Sequence, residues 1–302
     1  MKQIDSMGKI IRLQNRVASK KNKSGQYNCR NRKANSKVIA ITSGKGGVGK
    51  TNIVANLGFA LSQLGKRILI FDADLGLGNI DVLLGLTPKY NLSHVVMREK
   101  TAPEIIIEGP KNMKILPASS GIQELTQLTD GQRTVILSEL DSLLDHIDIL
   151  LIDTAAGISS NVMYFNVTAQ EILVVVTPEP TSMTDAYALM KVMSLKYSAK
   201  KFRLLVNLAA NSGEAREIFR QLTMVSNRFL DISIDYLGYV LGDENITKSV
   251  RRQKLLCDIY PDSSGSKCFA ELARQICKLP PQSSPRGDSS SFWDKLLQNN
   301  FE

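Results

Sequence analysis

Apolar residues in this chain fall into short continuous runs separated by amphipathic stretches. The runs at 38–41, 66–71, 113–116, 147–153, 171–177, 202–206 and 236–241 read as buried strands, because they are continuous rather than alternating. Between them, 52–64 repeats Ile53, Val54, Leu57, Ala60, Leu61 and Leu64 at helical spacing, and 131–145 carries Val135, Leu137, Leu140, Leu143 and Leu144. Further helices are expected at 182–197 and 246–254, whereas 88–131 is rich in loops, with a turn at 117–121. Strands alternating with helices predict an α/β fold, a three-layer sandwich around a mostly parallel sheet.

The two ends depart from this pattern. Residues 1–37 hold eleven lysines and arginines against Asp5 alone, a segment charge of +10 in a chain of net +9, so the other 265 residues sum to −1. Ile4, Met7, Ile10, Ile11 and Leu13 fit one side of a short helix, and 19–37 reads as a basic, disordered linker open to non-specific anion binding or to a plain tether role. Residues 280–291 form a Pro/Ser linker. In 292–302, Phe292, Trp293, Leu296, Leu297 and Phe301 line one face of a helix, the pattern of a reversible membrane anchor or of a helix docked on protein. Lys295 is its one cation, against Asp294, Glu302 and the terminal carboxylate. The expected organisation is a basic extension (1–37), an α/β domain (38–279), a linker (280–291) and an amphipathic helix (292–302). No apolar run approaches the length of a membrane span, and no secretory signal peptide is visible. Cys29, Cys257, Cys268 and Cys277 show neither C-x-x-C nor zinc spacing, and His94 and His146 are too few for a histidine metal site.

The chemistry concentrates after the first strand. Gly44-Lys45-Gly46-Gly47-Val48-Gly49-Lys50-Thr51 fills every position of G-x-x-x-x-G-K-[ST] between a strand and a helix, the context of a phosphate-binding loop. Glycines let successive N–H groups converge on phosphate oxygens, and the helix N-terminus adds its positive end. Lys50 would reach the β- and γ-phosphates, and the Thr51 hydroxyl would ligate Mg²⁺, with Asn52 following in the loop. Strand 66–71 leads into Asp72 and Asp74, acids at the crevice end of a parallel sheet. Strand 147–153 ends in Asp153, a Walker B pattern for holding Mg²⁺, with Gly157 placed to turn its N–H toward the γ-phosphate. No N-K-x-D guanine motif is present, so ATP is expected over GTP.

Lys45 makes the loop K-G-G-V-G-K-T, which resembles the deviant loop of the MinD/ParA family of P-loop ATPases. The segment from Asp74 resembles that family's switch I. The resemblance implies that Lys45 crosses a dimer interface to the partner's nucleotide, that Asp74 orients the attacking water and sits near Mg²⁺, and that Asn207 contacts adenine. SGKGGVGKTNIVANL, DADLGLGNIDVLLGLTP, LPASSGIQEL, LLIDTAAGI, EPTSMTDAYALMK, RFLDISIDYLGYV and SVRRQK extend the similarity, over 38–286, to the FlhG/FleN branch that controls flagellar number. Two departures stand out: no proline lies near Gly242, and Asp5-Ser6-Met7 lacks the glutamine of the branch's D-Q-A helix.

The resemblance implies an enzyme that uses slow ATP hydrolysis, with Mg²⁺, to time ATP-driven homodimerisation and membrane association. Implied partners are the flagellar GTPase FlhF, the switch-complex (C-ring) proteins, a σ54-dependent flagellar activator and the inner membrane surface; direct DNA binding is not expected. The implied location is the cytoplasm, reversibly at the inner face of the membrane. Two alternatives compete: a ParA-like DNA-partitioning ATPase gripping DNA with the basic tail, and an iron–sulfur carrier, for which the cysteine spacing offers no support.

Overall fold

The computed structural model describes residues 36–118 and 121–280. Its strands are β1 (Lys37–Ser43), β2 (Ile68–Ala73), β3 (Ile107–Glu108), β4 (Lys114–Leu116), β5 (Ile149–Ala156), β6 (Glu171–Val176), β7 (Lys201–Ala209) and β8 (Ser233–Leu241). They form one sheet in the order β3-β4-β2-β5-β1-β6-β7-β8. Every pairing is parallel except β3 with β4. The helices are α1 (Lys50–Gln63), α2 (Ile80–Leu84), α3 (Leu92–Val96), α4 (Ala102–Ile105), α5 (Asp130–Leu144), α6 (Ser160–Val167), α7 (Pro180–Tyr197), α8 (Ser212–Phe229), α9 (Glu244–Arg251), α10 (Leu256–Ile259) and α11 (Ser264–Lys278).

Alternate residues of each strand enter opposite helical layers, which is why the strand runs carry no polar face. Ile39, Ile41, Ile70, Leu151, Leu173 and Val175 pack with α1 and α11 on one side. On the other side, Val38, Ala40, Leu69, Phe71, Leu150 and Ile152 meet α5 and Phe165 of α6. Further along that layer, Val174, Val176, Leu204 and Val206 meet α6, α7 and α8. Strand order reverses direction at β1, between β5 and β6. This is the switch point of a doubly wound sheet, and it opens a crevice at the C-terminal strand ends. The loop after β1 lies there.

The fold expected from the sequence is the fold observed, with ends shifted by a few residues. β8 starts at Ser233 rather than 236, β5 runs on to Ala156, and α9 stops at Arg251 rather than 254. Three of the helices of eight residues or more, α6, α8 and α11, occupy stretches without a sequence-based assignment. Each begins at a capping residue. Asn211 caps α8 by accepting from Glu214 N at 3.0 Å, ahead of Ala215, Ile218 and Leu222. Ser263 caps α11 ahead of the buried Phe269, Leu272, Ala273 and Ile276. Ser159 caps α6 in the same way, accepting from Val162 N at 3.4 Å, but that helix is short and buried on most of its surface, so no polar stripe follows the cap.

His94 closes the N-terminal turn of α3, its Nδ1 accepting from Asn91 N at 3.3 Å. Among the described residues no helix is long and apolar enough to cross a membrane, and no cluster of His, Cys, Asp and Glu resembles a preformed metal cage. The basic extension, the Pro/Ser linker beyond Pro280, and Phe292, Trp293, Leu296, Leu297 and Phe301 lie outside the described residues.

Candidate functional site

β1 delivers the chain into the loop at Ser43, and α1 begins at Lys50 with Gly49 as its N-cap at φ 89°, without a side-chain cap. The open N–H groups of the first helical turn therefore face the crevice. Close packing holds the loop at both ends. A Cβ at Gly44 would sit 2.1 Å from the Asp185 carbonyl oxygen of α7, and one at Gly49 would sit 2.6 Å from Asn207 Nδ2. Between them, Gly46 and Gly47 face open space. Val48 is buried beneath the loop, and its carbonyl accepts from Asn207 Nδ2 at 2.8 Å. Asn207, only 5% exposed, is thus committed to bracing the loop, and an adenine contact would have to use its remaining groups.

Lys50 Nζ donates to Ser43 Oγ at 2.9 Å, and Ser43 Oγ donates to the Lys45 carbonyl at 2.6 Å. Burial pushes the Lys50 ammonium below the usual lysine range, while the carboxylates of Asp153 and Asp74 pull it back up. Lys45 points to the rim of the site. Its Nζ is paired with Glu179 Oε2 and donates to Thr181 Oγ1 at 3.0 Å, both at the β6–α7 junction.

Asp153 is 2% exposed, and its Oδ1 has no hydrogen-bond partner. Burial raises its carboxyl to about 7, with a further push from Asp74, while the Thr51 hydroxyl and Lys50 act against the rise. Asp72, 2% exposed, is also held well above the carboxylate range, first by burial and then by Asp153. Asp72 organises the switch I loop by accepting from Asp74 N at 3.2 Å, Asn79 N at 3.0 Å and Ile80 N at 3.2 Å. Ordering that loop is the role its contacts show. Gly78 is required beside it, because a Cβ there would lie 2.3 Å from Ala118 Cβ.

Asp74 is half-buried, with Oδ1 accepting from Leu77 N at 3.2 Å. Beside it a cavity of about 490 Å³ is lined by Leu75, Leu77, Ile122, Thr126, Asn161 and Val162. Gly157, at φ 91°, donates its N–H to the Ser43 carbonyl at 2.9 Å. The γ-phosphate contact expected of it requires that bond to open. The glycine backbone permits such a rotation.

Four supporting residues escaped the sequence reading. Glu179 and Thr181 were visible in Pro178-Glu179-Pro180-Thr181 only as a strand-to-helix connection. Arg133 donates from Nη2 to Ser160 Oγ and Asn161 Oδ1, both at 3.1 Å, tying α5 to the start of α6. Asn166 of α6 donates to Thr42 Oγ1 of β1 at 3.0 Å, inside the core. Long-range pairs of this kind leave no local pattern in the chain.

The donor set fits a nucleotide phosphate with a hard divalent cation. A buried carboxylate with a partnerless oxygen, raised toward neutral pH by burial, lies beside a hydroxyl that follows the loop lysine. Bound Mg²⁺ would satisfy that oxygen with Thr51 and Asp153 as its protein partners, and the glycine loop with Lys50 would take the phosphates.

Comparisons with known proteins agree with this geometry. The model of an AAA-domain family matches residues 36–205. The antiactivator FleN of Pseudomonas aeruginosa is 42% identical over 262 residues, 87% of this chain and 94% of FleN. The flagellum site-determining protein YlxH of Helicobacter pylori is 33% identical over 88% of this chain and 91% of YlxH. Among solved structures, the cell division ATPase MinD of Pyrococcus furiosus superposes with a TM-score of 0.69 at 25% identity, covering 81% of this chain and all of MinD.

Proposed function

Because the chain belongs to the FlhG/FleN branch of the MinD/ParA ATPases, we propose that it is an ATP-hydrolysing switch that regulates flagellar number or placement and flagellar gene expression. The observation that carries this reading is the Asp153 carboxylate, buried with a free oxygen beside Thr51, Lys50 and Asp74. Such an arrangement is costly in a protein with no cation to bind.

The N–H groups of 46–51 hold the β- and γ-phosphates, and the Lys50 ammonium neutralises charge that builds on the transferred group. Thr51 and Asp153 would hold Mg²⁺, which when bound would add to the neutralisation of the phosphate oxygens. Asp74 orients the attacking water, and Asp72 keeps the Asp74 backbone in place. Lys45 leaves Glu179 and reaches the nucleotide of a second copy, so that ATP, and not ADP, favours the homodimer. Gly157 releases the Ser43 carbonyl and reads the γ-phosphate. The dimer brings the C-terminal segment to the inner face of the membrane, and hydrolysis releases it. FlhF, C-ring proteins and a σ54-dependent activator are the partners proposed for the two states.

Steady-state phosphate release with Mg²⁺–ATP tests the enzyme. Lys50→Ala should lose ATP affinity, while Asp74→Ala should keep ATP affinity and lose turnover by about a hundredfold or more. Turnover unchanged in Asp74→Ala would move the water-orienting role elsewhere.

A further inference from the structure

The segment Ser249-Val250-Arg251-Arg252-Gln253-Lys254 has no part in the nucleotide chemistry. On α9, Ser249 is buried while Ile246 and Val250 pack against the core. Lys248, Arg251, Arg252 and Lys254 point outward and are exposed. Lys248 has Glu244 at 3.9 Å; among the described residues, Arg251, Arg252 and Lys254 have no acid within ion-pair distance. Residues 38–302 sum to −1, so four cations within seven residues are a local concentration and not a general property of the surface.

The turn that presents them is fixed. Arg252 N and Lys254 N both donate to the Ser249 carbonyl, at 3.0 and 3.1 Å, and Gln253 N donates to Val250 O at 2.9 Å. Gln253 sits at φ 52°, a backbone region an L-residue enters only when its surroundings hold it there. What holds it is Nε2 donating to the Val82 carbonyl of α2 at 2.9 Å, with Leu255 and Leu256 buried immediately after. α2 directly follows the switch I loop, and the Val82 side chain beside the turn is 56% exposed. The result is a rigid cationic hook next to an exposed aliphatic, attached to a switch.

We infer that residues 248–254 are a docking surface for the headgroups of an anionic membrane. This rests on the membrane association proposed above and names the contact that the C-terminal segment cannot make alone. That segment has an apolar face but only Lys295 as a cation, and one short apolar anchor gives marginal, reversible binding unless a second signal joins it. Four lysines and arginines near an anionic leaflet supply such a signal, each strengthening binding several-fold. The twelve-residue linker 280–291 can span up to roughly 40 Å when extended.

The test is co-sedimentation of the full chain, with Mg²⁺ and ATP, on vesicles of phosphatidylcholine alone or mixed three to one with phosphatidylglycerol. R251Q/R252Q should bind the mixed vesicles about thirtyfold more weakly than the wild type. It should match the wild type on the neutral vesicles and keep the same thermal midpoint and solution ATPase. K248Q/K254Q, on the same outward side, serves if the first variant misfolds. Wild-type-like binding by both variants to the mixed vesicles would overturn the inference and leave the C-terminal anchor standing. A wild type that binds neither vesicle would overturn the membrane reading as well. Loss of duplex-DNA binding with vesicle binding intact would assign the hook to nucleic acid instead.

Discussion

A methyl group at Gly44 would collide with the Asp185 carbonyl at 2.1 Å, so this glycine is required by α7 rather than by the phosphate. Gly44→Ala must push α7 and the loop apart, moving Glu179 and Thr181, which hold Lys45. Calorimetric titration should show ATP affinity reduced at least about tenfold, with the fold intact by circular dichroism. Asp153 gives a test of opposite sign. Its folded-state pKa of about 7 lies above the ordinary aspartate value of about 4. Between those values the folded state binds more protons than the unfolded, so nucleotide-free stability falls as pH rises through that window. Asp153→Asn should therefore be more stable than the wild type in urea above neutral pH, by roughly 1–2 kcal/mol, while losing Mg²⁺-dependent hydrolysis. A destabilised Asn variant would mean that the carboxylate serves the fold. These residues were legible because the loop and Walker B patterns are local. The close approach at Gly44 was not, since it joins positions far apart in sequence.

Among the elements, α6 follows the turn that carries Gly157 and is tethered on two sides, by Arg133 from α5 and by Asn166 to Thr42 of β1. Arg133 also lies 5.0 Å from the Tyr164 ring. Removing the guanidinium leaves Ser160 and the buried Asn161 Oδ1 without a donor, so Arg133→Ala should cost about 1–3 kcal/mol in urea unfolding. It should also slow ATP turnover, because α6 positions the turn that carries Gly157. Unchanged stability and turnover would show that α6 is held by apolar packing alone. The strands and long helices of the sheet could be read from continuous apolar runs and 3.6-residue spacing. α6 was legible only in its Ser159 cap, because a short helix apolar on most sides has no polar stripe to betray its period. α8 and α11 are readable from their Asn211 and Ser263 caps ahead of apolar residues at helical spacing.

For the whole molecule, composition is divided: a basic extension, a near-neutral ATPase body and an apolar-faced terminus. Deleting 292–302 should abolish binding to neutral vesicles and leave the ATPase of the body unaltered in solution; retained binding would place the anchor in the basic extension or in the 248–254 turn. Assembly is the property that a single chain reveals least, yet the half-buried Lys45, paired in cis with Glu179, is the group on which it turns. The most direct measurement is the solution mass of Asp74→Ala protein with ADP and with ATP, beside the same protein carrying Lys45→Ala. The account expects a monomer with ADP, a dimer with ATP, and no dimer once Lys45 is removed. A monomer in both nucleotides, or a dimer indifferent to Lys45, would contradict the ATP-driven switch.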